Sequence, residues 1–203
     1  MSQIVKPIER FLMTIIYPVK KILSLIFFKA GPYKTCSLLC ILMLCRIPEA
    51  RAQQETDYAI HANIIYRFTK YIDWPENKKS GDFIIGIVGD SPLYDELKTF
   101  VTNKMVGDQK IVIKKFSASA TSFNCHILFI NEDESSNFKK ITDNTSGIPT
   151  LIVSESDGLA SKGSCINFVI EDEHLKLEIN KNNIEHRNLS IASELLKLGK
   201  IVK

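Results

Sequence analysis

Apolar positions at helical spacing open the folded part of the chain. Tyr58, Ala62, Ile65, Phe68 and Ile72 fall on one face, Ile64 and Tyr71 widen it, and Asn63, Arg67 and Lys70 fall on the other. The pattern predicts an amphipathic helix with an aromatic exit at Tyr71, Ile72 and Trp74 and a stop at Pro75. Residues 83–88 then read FIIGIV, almost continuously apolar, which suits a strand covered on both sides. A helix docked on a central strand is the predicted nucleus.

Downstream, apolar runs and helical spacings alternate. A helix is predicted over 92–102 through Leu93, Leu97 and Phe100 or Val101, and a strand over 111–116. A third strand is predicted over 125–130 (CHILFI), and a helix over 136–143 with Phe138 and Ile141 facing the core. A fourth strand follows over 149–154 (PTLIVS). Residues 166–170 and 175–179 read as a hairpin whose second strand alternates Leu175, Leu177 and Ile179 with Lys176 and Glu178. A closing helix is expected over 190–198, capped by Ser190, striped by Ile191, Leu195 and Leu198, and ended by Gly199. This order predicts an α/β single-domain sandwich: a mainly parallel sheet, an antiparallel C-terminal hairpin, and helices packed on the sheet.

Charge divides the chain. Residues 1–52 carry eight Lys/Arg against two Asp/Glu, and residues 53–203 carry the remaining 18 against 21. The net charge of +3 therefore hides an acidic main body, which lacks a nucleic-acid footprint. In the basic segment, Lys20, Lys21, Lys29 and Lys34 precede an apolar run over 36–45, followed by Pro48 and Ala50-Arg51-Ala52. A basic stretch, a short apolar stretch and a small-x-small site describe a secretory signal peptide, with cleavage expected after Ala52. The apolar stretch is too short to span a bilayer as a helix. The expected organisation is an N-terminal extension and signal peptide over 1–52 and one exported domain over 53–203.

Candidate chemistry is sparse. Gly86-Ile87-Val88-Gly89-Asp90-Ser91-Pro92 is a glycine-containing turn between strand and helix; Gly89, Asp90 and Ser91 could hold an anion at the helix amino end or simply close a tight turn. It lacks the dinucleotide and Walker spacings. His61, His126, His174 and His186 form no metal-ligand spacing, so no cofactor or metal is expected. No G-x-S-x-G element suggests nucleophilic catalysis. Trp74 could line a pocket or an interface, or anchor the helix exit in the core. Once the signal leaves, Cys125 and Cys165 are the only cysteines. An oxidising compartment invites a disulfide between them, whereas an intervening strand would hold their Cα atoms out of reach and leave two buried thiols.

Taken together, IIYRFTKYIDWP, FIIGIVGDSPLYDEL, CHILFI, PTLIVSES and LEINKNNIEHRNLSIASELLKLGKIV resemble the YfiR family of exported bacterial proteins, from about Ala59 to Val202. The resemblance implies a non-enzymatic, homodimeric periplasmic regulator. Such a protein binds the outer sensor part of a membrane-bound diguanylate cyclase and restrains cyclic-di-GMP synthesis and biofilm formation. Some members depend on disulfides, but the family's closely spaced cysteine pair is absent between residues 149 and 170 here. A second reading is a small-molecule-binding sensory module with its ligand at the carboxyl ends of the strands, near 89–91 and 131–134. A third, an enzyme, would rest on Asp90, Glu132 and Asp133.

Overall fold

The computed structural model describes residues 57–203, which belong to one compact unit. The expected signal peptide and its cleavage site lie outside the described residues.

Helix α1 (Tyr58–Tyr71) begins at Asp57, whose carboxylate accepts from the backbone N–H groups of Ala59 and Ile60 at 3.0 and 3.3 Å. It buries His61, Ala62, Ile65 and Phe68. The chain leaves it through the short strand β1 (Ile72–Asp73) and enters β2 (Phe83–Val88). Helix α2 (Leu93–Phe100) and the hairpin of β3 (Met105–Val106) with β4 (Gln109–Phe116) follow. Then come β5 (Ile127–Ile130), a 3-10 turn (Glu132–Asn137) running into α3 (Phe138–Asp143), and β6 (Leu151–Ser154). The last part contains β7 (Ile166–Glu171), β8 (His174–Ile179), α4 (Lys181–Glu185), β9 (Ser190–Ile191), α5 (Ser193–Leu196) and β10 (Lys200–Ile201).

Among the described residues the main sheet has eight strands in the order β10-β8-β7-β6-β5-β2-β4-β3. β4, β2, β5, β6 and β7 run parallel, and β8 returns antiparallel to β7. The central strands are buried on both faces: all four residues of β5 and all four of β6 are inaccessible. That is why their sequences show continuous apolar runs instead of alternation. The α/β architecture, the mainly parallel sheet and the C-terminal hairpin are those the pattern predicts.

The carboxyl-terminal segment differs from its expectation. Ser190 caps nothing; with Ile191 it forms β9, paired antiparallel with β1. Ala192 N–H extends the pairing to Tyr71 C=O at 2.8 Å. Only Ser193–Leu196 is helical, because the backbone before it already bonds to the exit of α1. Gly199 sits where a Cβ would fall 2.8 Å from Leu177 O and from the Ile179 side chain, and β10 continues from it beside β8. Helix α4 was not foreseen at all.

Candidate functional site

From β2 the chain passes through α2 to β4 on one side, whereas β5 lies on the other side of β2. Where neighbouring strands are left in opposite directions, their carboxyl ends open a crevice. Ser91 follows β2, Glu132 follows β5 and Glu155 follows β6, so topology alone brings all three to one end of the sheet. The first turn of α1 lies over this end and delivers Tyr58 and His61 from the start of the domain.

Glu155 is the centre of the cluster. Its Oε1 accepts from the Glu132 N–H at 3.2 Å and from the Tyr58 hydroxyl at 3.3 Å. Ser91 lies near Tyr58 and acts to lower its pKa, while its Oγ accepts from the Leu93 N–H at 3.3 Å at the start of α2. Glu155 Oε2 faces His61 Nε2 at 4.0 Å, with side-chain exposures of only 8% and 4%. The other ring nitrogen, Nδ1, bonds the Asp57 carbonyl at 3.1 Å, and the ring lies tilted against Phe168, 4.3 Å between centroids.

Burial dominates the electrostatics. It pushes the Glu155 carboxyl up to about 7, against the hydrogen bonds from Glu132 N–H and Tyr58 and with added repulsion from Glu132 and Asp133. It pushes the Tyr58 phenol up to about 12, reinforced by the charge of Glu155. It draws His61 down, more than the Asp57 carbonyl and carboxylate raise it. A cavity of about 320 Å³ opens beside the pair, walled by Glu132, Glu155 and Asp157 on one side and by Phe168, Val169 and Ile170 on another. Among the described residues no group of three or more His, Cys, Asp or Glu could hold a metal ion.

The residues singled out by sequence separate here. Ser91 lies beside Tyr58 at the edge of the network, and Glu132 supplies both a backbone donor and part of the cavity wall. Gly89 has φ +90°, and a Cβ there would lie 2.9 Å from Glu134 Cγ, so this turn requires glycine. Asp90 is directed to Lys115 at 3.0 Å while its carbonyl accepts from Asn131. Trp74 stands at the opposite, amino end of the strands. There its indole N–H donates to His126 C=O at 3.2 Å and its ring meets Phe83 edge-on at 5.0 Å. Cys125 and Cys165 are free and buried, with β6 between the strands that follow them.

Sequence reasoning missed Glu155, Tyr58 and His61 as members of one site. For Glu155 a signal existed: it follows the fourth strand directly, as Ser91 follows the first nearby. For His61 none did, since a lone histidine on an apolar helix face has the pattern of a core residue.

The whole arrangement, from the first turn of α1 to β10, is covered by one match: a family model described as YfiR/HmsC-like fits residues 58–200. No curated protein gave a match.

Proposed function

Because the chain belongs to the YfiR/HmsC-like family, we propose that it is an exported, non-enzymatic regulator that binds the outer part of a membrane signalling protein, a diguanylate cyclase, and restrains it. The family match carries this reading, since it spans nearly the whole described fold. Two features agree with it. The segment over 1–52 has the composition of a secretory signal, and among the described residues no helix is long and apolar enough to cross a membrane. A groove of about 700 Å³ runs beside α1, with Ile60, Ile64, Leu175 and Leu198 in its walls. Ile60 and Leu198 are 48% and 62% exposed, and contiguous apolar surface of this kind suits docking to another protein. A bound regulator biases its target only through unequal affinity for the target's active and inactive states.

The test is recovery from the native envelope. Tagged protein purified from membranes is expected to bring down an inner-membrane protein carrying a cyclase module. Replacing both Ile60 and Leu198 with Asp is expected to lower that recovery by roughly tenfold or more, as for apolar anchors at an interface, with the thermal midpoint little changed. Recovery of only a second copy of the chain, with no membrane protein beside it, would count against the regulator reading.

A further inference from the structure

The gap between His61 Nε2 and Glu155 Oε2 belongs to two hydrogen-bonding atoms that do not satisfy each other. They stand 4.0 Å apart, beyond hydrogen-bond length, on side chains more than nine-tenths buried. His61 uses Nδ1 toward the Asp57 carbonyl, so Nδ1 carries the hydrogen and Nε2 presents a lone pair. Glu155 uses Oε1 for both of its donors, leaving Oε2 toward the cavity. Both residues line the open cavity, so a donor entering it can bond the two acceptors together. The cavity wall adds Glu132 and Asp157 and contains no Lys or Arg, so its charge favours a cationic donor over a neutral one. Its remaining wall is Phe168, Val169, Ile170 and Leu175, which a bare inorganic ion cannot use.

We propose that this cavity binds an organic ammonium ion, its N–H groups donating to His61 Nε2 and Glu155 Oε2 and its carbon body lying on Phe168, Val169 and Ile170. The three donors of a primary ammonium match the two facing acceptors and leave one for Asp157 or Glu132. A charge-assisted hydrogen bond in a recess of restricted solvent access is stronger than its exposed counterpart. The volume of about 320 Å³ is at the lower end for small-molecule sites, roughly 300–1,000 Å³. The site goes beyond the regulator reading and does not depend on it, for the cavity is complete within one chain.

The titratable groups that line the cavity are His61 from α1, Glu132 after β5, and Glu155 and Asp157 after β6, with Tyr58 and Asp133 acting on Glu155 from behind it. Of these, Glu155 must lose its proton for the cation to be held best. Affinity is therefore expected to rise with pH, by up to ~10-fold per unit below the carboxyl's titration.

The experiment is calorimetry and thermal shift on the full chain with three probes: phenethylamine, methylammonium and 2-phenylethanol. Phenethylamine is expected to bind and raise the thermal midpoint, methylammonium to bind about tenfold or more weaker, and phenylethanol not to bind. Glu155→Gln is expected to weaken phenethylamine by about tenfold or more. Asp157→Asn, at an exposed position that leaves the buried network intact, is expected to weaken it severalfold. That second variant keeps the test decisive where Glu155→Gln fails to fold. No binding by either amine would assign the gap to water and overturn the proposal. So would equal binding of the alcohol and the amine, or amine binding that neither variant nor pH alters.

Discussion

His126 is held as a neutral ring by two backbone groups. Its Nδ1 accepts from the Ile84 N–H at 3.0 Å, so the hydrogen lies on Nε2, which donates to the Lys78 carbonyl at 2.8 Å. Burial draws its pKa below the usual histidine value, chiefly through desolvation. A second proton would put two donors face to face at Ile84. The unfolded ring takes up that proton near pH 6.5, before the folded one does, so this contribution is present above pH 6.5 and is lost as the pH falls. Glu155 has the opposite sign. Its folded pKa is raised to about 7 from 4.5, so the folded state holds the extra proton between those values. Its contribution is greatest below pH 4.5 and is lost as the pH rises through 7. Between pH 7 and pH 5 the two effects oppose each other. Glu155→Gln removes only the stabilising gain on acidification. Urea unfolding at both pH values is therefore expected to show a steeper acid loss in the variant, by on the order of 1–2 kcal/mol once solvent at the cavity mouth is allowed for. An unchanged pH slope would mean that Glu155 is ionised in the folded protein.

Helix α4 shows how little sequence periodicity a short element needs. Of its five residues, KNNIE, only Ile184 is buried, so no apolar stripe can announce it. It exists because Asn180 supports it from both ends of one side chain. Oδ1 accepts from the Asn183 N–H at 3.1 Å, and Nδ2 donates to the Ala160 carbonyl at 2.9 Å. Asn183 adds donors to Ala160 and Ser164, tying the helix to the loop before β7. Asn180→Ala is expected to cost on the order of 1–3 kcal/mol, combining a lost cap with a lost hydrogen bond to the Ala160 carbonyl, which keeps only its Asn183 donor. Chemical unfolding would read it as a lower midpoint with an unchanged slope; a change under 0.5 kcal/mol, roughly that of an ordinary surface substitution, would mean that packing of Ile184 alone holds the element. The β1–β9 pairing was hidden for a related reason. Each strand is two residues long, and each exists only through the other, 117 positions away by their numbering. By contrast β2, β5 and β6 were legible because double-sided burial writes itself as an unbroken apolar run.

At the scale of the molecule, the end of the sheet that carries the cavity followed from topology, since alternating strands and helices place turns such as 89–91 and 131–134 together. Which side chains would converge there did not follow, because α1 had to fold back from the start of the domain to supply Tyr58 and His61. The cysteines depend on the same global order. Cys125 and Cys165 precede β5 and β7, and β6 separates those strands, so two strand spacings of about 4.8 Å keep them apart. Both are fully buried, and burial pushes their thiols up to about 12 and 11. Reaction needs an exposed thiolate, and neither condition is met without opening the centre of the sheet. Alkylation followed by peptide mapping is therefore expected to leave Cys125 and Cys165 unmodified in native protein. Labelling of both should rise together, over the same urea range as loss of the far-ultraviolet signal. Adding reductant should leave the thermal midpoint where it was. A midpoint lowered by reductant, or a disulfide-linked peptide pair joining Cys125 to Cys165, would require the β5–β6–β7 order to break, and with it the convergence of Glu132 and Glu155 on one cavity.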